Sequence, residues 1–511
     1  MSPPGASMTT TVVKGAGLNA AARFGTQILQ IACTTVVARR VPPSAYGLMG
    51  MAAVAIGFVG LFRDLGTTNA IIQRRDIDDG LLTSVFWLNM SMGLAVAAAC
   101  WLSAPWVALF YREPALVGIL RVLSFLFPIS SLSAVHSALL IRDLRFGRIA
   151  AIDLIGGTAG LAVTVTAALL GAGVWSLVMN LLAITAACVV VAIWARPWWP
   201  RLSFSWTQIR SISGFGLNLS AYNIVNYFAR NADNMLVGKY LGAAPLGYYA
   251  LAYNIMLFPV QAVGQTLGRV LFPAFASMQS DHARFRHAYL RASATTAFFT
   301  FPLMAGAAVL APELIALFLG PRWWPVAPVL RVLAPIGMLQ SLTTMTGHIY
   351  MSTGSTGAMF RWNTLFSVVL VAGFVAGLPW GIMGVAAIYA VLSFLLMFPT
   401  LAIPFRLIGL RLTALWESVR LIVAGTAIMA AVVAALRWVL LYRLKAPAVA
   451  TLGVCVVMGA ACYFLFMYSR RSAVFRDVLT LASPRWSVLK RLADLLQSAD
   501  EVSASNNGSR Q

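Results

Sequence analysis

The feature that most constrains this chain is the recurrence of apolar runs about twenty residues long, the length a helix needs to cross the hydrocarbon of a bilayer. Candidate spans fall near 17–38, 45–70, 81–103, 116–140, 148–170, 174–195, 212–232, 246–275, 289–311, 327–350, 362–378, 381–403, 416–440 and 448–468. That is about fourteen transmembrane helices, and no connection is long enough to form a separate soluble domain. Composition points the same way: of 511 residues, 60% are hydrophobic and 10% charged, where soluble domains carry about 25% charge. A soluble enzyme, a disordered chain and a secreted disulfide scaffold are excluded together.

The five cysteines, Cys33, Cys100, Cys188, Cys455 and Cys462, lie in apolar runs without C-x-x-C or Cys/His spacing, so they are expected as small core residues. Residues 1–17 lack a continuous apolar stretch with a cleavage site, so the first span is expected to be retained. Beyond Tyr468 the chain turns polar and basic. Ser483-Pro484 reads as a helix start, and Trp486, Leu489, Leu492 and Leu496 follow at helical spacing with Lys490 and Arg491 on another face. An amphipathic helix on the membrane surface is expected there, ahead of a disordered tail from Ser503.

The net charge of +22, from 37 Lys and Arg against 15 Asp and Glu, is explained mostly by orientation. With the N-terminus in the cytoplasm, the cytoplasmic loops and tail carry Lys14, Arg74, Arg75, Arg142, Arg145, Arg148, Arg196, Arg201, Arg210, Arg284, Arg286, Arg291, Arg361, Arg406, Arg411 and seven tail cations. Arg39, Arg40, Arg112, Lys239, Arg322, Arg443 and Lys445 fall outside. The bias is about threefold and places both termini inside; nucleic acid is not needed to explain the charge.

The chain also resembles itself. Gly15-Ala16-Gly17-Leu18-Asn19 matches Gly214-Phe215-Gly216-Leu217-Asn218, Ala45-Tyr46-Gly47 sits against Gly247-Tyr248-Tyr249, and Ala108-Leu109-Phe110 against Ala316-Leu317-Phe318. Leu120-Arg121-Val122-Leu123 recurs as Leu330-Arg331-Val332-Leu333, and Gly173-Val174 aligns with Gly384-Val385. The offset grows smoothly from about 200 to about 210, so two parallel six-span repeats are expected, related by an axis along the membrane normal. The expected organisation is an all-α integral membrane fold with lobes 1–204 and 205–410, an extra helix pair 411–468 and a basic cytoplasmic tail 469–511.

Ionisable and amide groups inside spans are costly and normally face a wet interior or one another. In the first span Asn19, Arg23, Gln27, Gln30 and Thr34 share one helical face. In the seventh, Asn223, Asn226, Arg230 and Asp233 do the same. A cavity lined by both stripes is expected; interhelical hydrogen bonds, with Arg230–Asp233 as a local ion pair, are the alternative. Arg121 pairs with Arg331, and Arg63 (beside Asp64) with Arg269, at repeat-related positions. Guanidinium groups there suit phosphate and carboxylate, or snorkel where a helix ends. With Arg420 and Arg437 these are the intraspan cations among which an anionic substrate is sought.

Other features read as structural. Gly156 with Gly160 and Gly373 with Gly377 fit helix packing. His136 and His348 have no partners at ligand spacing, Glu113 and Glu313 stand isolated, and Pro128, Pro259, Pro302, Pro335 and Pro399 mark hinges or kinks. The sequon at Asn507 falls in the cytoplasmic tail. Neither a cofactor nor a metal site is expected.

The stretches Phe62-Arg63-Asp64-Leu65-Gly66 through Ile71-Ile72-Gln73-Arg74-Arg75, Phe86-Trp87-Leu88-Asn89, Leu139 to Phe146, Gly173-Val174-Trp175, Ala229 to Gly242 and Arg269 to Pro273 carry a resemblance. The chain resembles polysaccharide transporters of the multidrug/oligosaccharidyl-lipid/polysaccharide exporter superfamily, especially Wzx-type and colanic-acid-exporter-like flippases. The resemblance extends over most of residues 10–405. It implies two lobes around a central cavity that opens alternately to either side, lined by the first and seventh helices. It also implies transfer of undecaprenyl-diphosphate-linked oligosaccharides from the cytoplasmic to the periplasmic leaflet of a bacterial inner membrane, for exopolysaccharide, capsule or O-antigen biosynthesis alongside a polymerase and export machinery. Arg230 and Asp233 belong to the family pattern, whereas Arg23 rests on periodicity alone. A lipid II flippase and a cation-coupled multidrug antiporter are the alternatives within the superfamily. A membrane glycosyltransferase or polymerase is remote, since no paired carboxylates or long external loops are found.

Overall fold

The computed structural model of the chain describes residues 32–62, 71–72, 77–210, 217–277, 281–472 and 474–476. Every regular element among them is helical. Helix α1 (Pro43–Gly60) begins with proline in its first turn, where the missing N–H costs no hydrogen bond. Helix α2 (Asp79–Tyr111) is capped by Asp78, whose carboxylate accepts from the Leu81 N–H at 3.2 Å. At 33 residues it is about 50 Å long and outreaches a hydrocarbon core of about 30 Å.

The single span expected over 116–140 is three pieces instead: α3 (Ala115–Ser124), α4 (Leu126–Ser131) and α5 (Ala134–Arg142). Pro128 has no N–H to give Ser124, and its ring crowds that carbonyl, so α3 stops there. A second break, a 44° bend, separates 115–131 from 134–142. Then come α6 (Phe146–Leu169), α7 (Val174–Ala195), α8 (Leu217–Leu241), α9 (Ala243–Ser277) and α10 (His282–Val309). The chain continues through α11 (Val326–Thr343), α12 (Thr346–Ser352), α13 (Thr356–Gly377), α14 (Gly381–Leu407), α15 (Leu412–Trp438) and α16 (Ala448–Ser469).

By length and composition, nine stretches among the described residues suffice to cross a membrane, ten with the bent pair, counting α13 and α14 together as one. The expected fourteen include 17–38, most of which lies outside the described residues. The amphipathic helix expected after Pro484 lies outside them too. Serine and threonine survive in these helices by donating to carbonyls three or four residues back, as Thr164 does to Gly160 and Thr296 to Ala292.

The chain divides into two compact units, Met1–Ala250 and Leu251–Gln511, with the boundary inside α9. In the first unit α6 lies against α7 on its glycine stripe: a Cβ on Gly156 would strike Cys188 Sγ, and one on Gly160 would meet the Asn180 amide at 2.6 Å. In the second, α10, α14, α15 and α16 share a core of Tyr289, Phe298, Phe405, Val433, Cys455 and Tyr463. Tyr463 donates to the Phe298 carbonyl at 3.0 Å. The last helix pair is therefore built into the second unit's interior. Gly173 (φ 57°) starts α7 and Gly381 (φ 66°) starts α14, both left-handed. Gly381, rather than the Gly384 matched by sequence, is thus the conformational counterpart of Gly173; Gly384 serves close packing against Gly377.

Candidate functional site

Two glycines, Gly47 and Gly247, bring α1 and α9 into backbone contact. A Cβ on Gly47 would fall on the Ala243 carbonyl and 2.9 Å from its Cα; a Cβ on Gly247 would fall on the Pro43 carbonyl oxygen and 3.2 Å from Gly47 N. The contact is reciprocal. Pro43 and Gly47 face Ala243 and Gly247, the same spacing of four residues on each helix and the same offset between helices. Only residues without side-chain bulk permit such an approach. Beside the crossing Leu246, fully buried, fills the space over Gly50, Gly238 and Met51.

Further along α1, α8 continues the seam. Tyr227 donates to the Val54 carbonyl at 2.8 Å, its ring occupies the room left by Gly57, and Phe228 packs on Phe58 with centroids 4.9 Å apart.

On α8 the expected polar face separates into two roles. Asp233 is buried, accepts from Tyr249 Oη of α9 at 3.0 Å and from the Asn234 N–H at 2.8 Å. Its carboxylate thus joins α8 to α9 and is not directed at Arg230, so the local ion pair considered from spacing is replaced by a helix–helix tie. Arg230 is exposed near the middle of α8.

The other candidates are placed as follows. Arg121 is half-buried in α3 with its guanidinium 5.2 Å from the Trp101 ring, and its Nε has no hydrogen-bond partner among the described residues. Arg331 is exposed on α11, and Arg420 on α15. Asn223, Asn226 and Arg269 belong to α8 and α9, but their side chains lie outside the described residues. Asn19, Arg23, Gln27, Gln30, Arg63 and Asp64 also lie outside them.

Arg437 corrects the sequence reading. Its Nε meets Glu313 Oε1 at 2.8 Å, with Glu313 almost fully buried. The two are 124 residues apart, which is why Glu313 looks isolated along the chain. Arg437 is committed to this pair and is removed from the cations available to a substrate.

The motif residues mostly hold the first unit together at one end. Arg142 donates to the Ile71 carbonyl at 3.1 Å, and Asp143 receives Arg196 at 3.5 Å and Arg145 at 3.8 Å. Trp87 Nε1 donates to the Arg201 carbonyl at 2.9 Å, and His136 Nε2 pairs with the Trp198 carbonyl at 3.1 Å. Beneath them Ile71, Val85, Phe86, Val135 and Leu139 form a buried cluster. No sequence signal foretells the role of His136; its partner is 62 residues away.

Among known proteins, the model of the family described as polysaccharide biosynthesis protein matches residues 36–328. The chain is 28% identical over 377 residues to the lipopolysaccharide biosynthesis protein WzxC of Escherichia coli (strain K12), covering 73% of this chain and 76% of that protein. It is 27% identical over 368 residues to the succinoglycan biosynthesis transport protein ExoT of Rhizobium meliloti (strain 1021), covering 72% and 74%. Its fold is similar to that of a solved structure described as lipid II flippase MurJ, inward closed conformation, with a TM-score of 0.69 at 16% identity over 90% of this chain and 99% of that one.

Proposed function

The chain belongs to the polysaccharide biosynthesis protein family, and from that premise we propose that it moves a lipid-linked oligosaccharide across a bacterial inner membrane by alternating access. The observation that carries the mechanism is the reciprocal glycine crossing. Residues 43 and 47 begin the second span of the first proposed lobe (1–204), and 243 and 247 begin the matching span of the second (205–410). A crossing of equivalent helices on the repeat axis acts as a gate: held together it shuts one end of the transporter, and separated it opens that end. With both termini in the cytoplasm, the shut end is the periplasmic one.

A sugar diphosphate cannot enter hydrocarbon without replacing its lost water. Arg230 supplies a charge for it. A guanidinium at mid-helix facing lipid would cost at least about 2.5–3.5 kcal/mol, so its exposure favours an aqueous cavity. Asn19, Arg23, Gln27 and Gln30 on the first helix, Asn223 and Asn226 on α8, and Arg63, Asp64, Arg121, Arg269 and Arg331 are the further residues of the proposed lining. Asp233 contributes indirectly, by fixing α8 against α9. A polysaccharide polymerase and export machinery would take the product.

Cation-coupled antiport of cationic drugs is less favoured because arginines outnumber carboxylates in the expected spans. The experiment is Arg230→Ala in purified, reconstituted protein, following a labelled lipid-linked oligosaccharide in each leaflet. Transport should fall at least tenfold, about 1.4 kcal/mol, with folding unchanged. Unchanged transport by folded variant removes Arg230 from the path.

A further inference from the structure

The segment joining α7 to the short helix Trp206–Arg210 is built inside out for a loop in water. Its polar groups are turned to the protein. Besides the Trp198 and Arg201 carbonyls held by His136 and Trp87, the Arg201 N–H reaches Thr83 Oγ1 at 3.5 Å and the Ser205 N–H reaches Ser84 Oγ at 3.1 Å. The Arg148 guanidinium takes the Ala195 carbonyl, and Arg201 and Arg196 have Asp79 and Asp143 as ionic neighbours. Trp198 is the one ring folded inward, against Phe86 and His136.

Its apolar side chains are turned out. Trp199 is 74% exposed, Leu202 94% and Trp206 65%, with Trp194 and Phe204 beside them. A patch this apolar on a fixed, non-helical backbone is an unfavourable surface for water. Arginines 196, 201 and 210 punctuate the same stretch, and no acidic residue occurs between 194 and 210. Tryptophan with arginine is the composition of a membrane interface, where amphipathic rings sit at headgroup depth and each cation near an anionic surface gains about fivefold in binding.

We propose that residues 194–210 form a strap lying in the headgroup layer of one leaflet, with Trp199, Leu202, Phe204 and Trp206 among the upper acyl chains and Arg201 and Arg210 at the phosphates of anionic phospholipid. The strap differs from an ordinary aromatic belt because its central backbone, 196–205, is not helical: the protein satisfies the polar groups there so that the side chains can enter lipid. It makes the link between the two repeats a lipid-reading element anchored to the first unit.

The test uses full-length protein in liposomes with the native cysteines replaced, one cysteine at Leu202 or, separately, at Trp199, and a bimane label. Quenching is read with lipids spin-labelled near the carbonyl, lipids labelled near the chain end, and iodide in water. The expected result is strongest quenching by the shallow lipid label at both sites. Phosphatidylglycerol should strengthen it, and Arg201→Gln with Arg210→Gln should weaken that dependence several-fold while the protein stays folded. Quenching by iodide with none by either lipid label would overturn the proposal, as would a label shielded only when a partner protein is added. Equal quenching with and without phosphatidylglycerol would refute the anionic-lipid assignment.

Discussion

Placing a single methyl group at the glycine crossing tests the gate. A Cβ on Gly47 lands on the Ala243 carbonyl and 2.9 Å from Ala243 Cα, where ordinary contact begins near 3.4 Å. The obstruction is helix backbone, which cannot swing aside as a side chain would. Gly47→Ala therefore forces α1 and α9 apart by at least half an ångström, and further at the carbonyl oxygen. Overpacking of this kind costs about 1–3 kcal/mol. The cost falls only on the state in which the helices touch, so the equilibrium moves toward the separated state by about 5–150-fold. Gly247→Ala, meeting the Pro43 carbonyl, should act in the same direction. The double variant should add less than the sum, because the first separation relieves the second clash. The assay is the rate of thiol modification at Leu246→Cys, a position fully buried beside the crossing. The rate should rise by about the same factor in either alanine variant. An unchanged rate in folded protein would refute the view that this contact opens.

Further outcomes follow from other contacts. Glu313→Leu should lower the unfolding free energy in detergent by about 3 kcal/mol because it leaves Arg437 part-buried without its acceptor, whereas Glu313→Leu combined with Arg437→Met should recover most of it; thermal unfolding distinguishes them. Arg142→Ala, which strips the donor from the buried Ile71 carbonyl, should cost about 1–3 kcal/mol. Arg145→Ala, half-exposed and 3.8 Å from Asp143, should cost less than about 1 kcal/mol. Asp233→Leu, leaving the Tyr249 hydroxyl without its acceptor, should destabilise the protein, while Arg230→Ala should leave stability intact and reduce transport; measuring both properties on both variants separates tie from substrate contact.

Most of the scaffold was legible because its signals are local. Apolar runs of about twenty residues gave helices where expected, and the small-residue spacing of Gly156 with Gly160 marked the α6–α7 contact. The break of 116–140 was readable at Pro128 but not its 44° bend, which packing sets. For the candidate site, residue types can be read from the sequence but contacts cannot. Helical spacing put Arg230 and Asp233 on one face of α8, yet Arg230 is exposed and Asp233 buried, and only the third dimension brings Tyr249 to that carboxylate. The same holds for Glu313 with Arg437, and for the loop at 196–205, whose arginines carry a charge signal in sequence while the contacts of Trp87 and His136 with its carbonyls span 62 to 114 residues and leave none. That Gly47 and Gly247 bring α1 and α9 together could not be inferred from the sequence around either glycine alone.

The central claim is that this chain by itself carries a lipid-linked oligosaccharide between leaflets. The direct measurement is purified full-length protein in sealed liposomes loaded with a labelled undecaprenyl-diphosphate oligosaccharide, probed by a membrane-impermeant sugar-modifying reagent. Label initially protected in the inner leaflet should become reactive only in liposomes containing the protein, and at a rate changed by Gly47→Ala and reduced by Arg230→Ala. Folded protein that leaves the inner-leaflet label protected would contradict it.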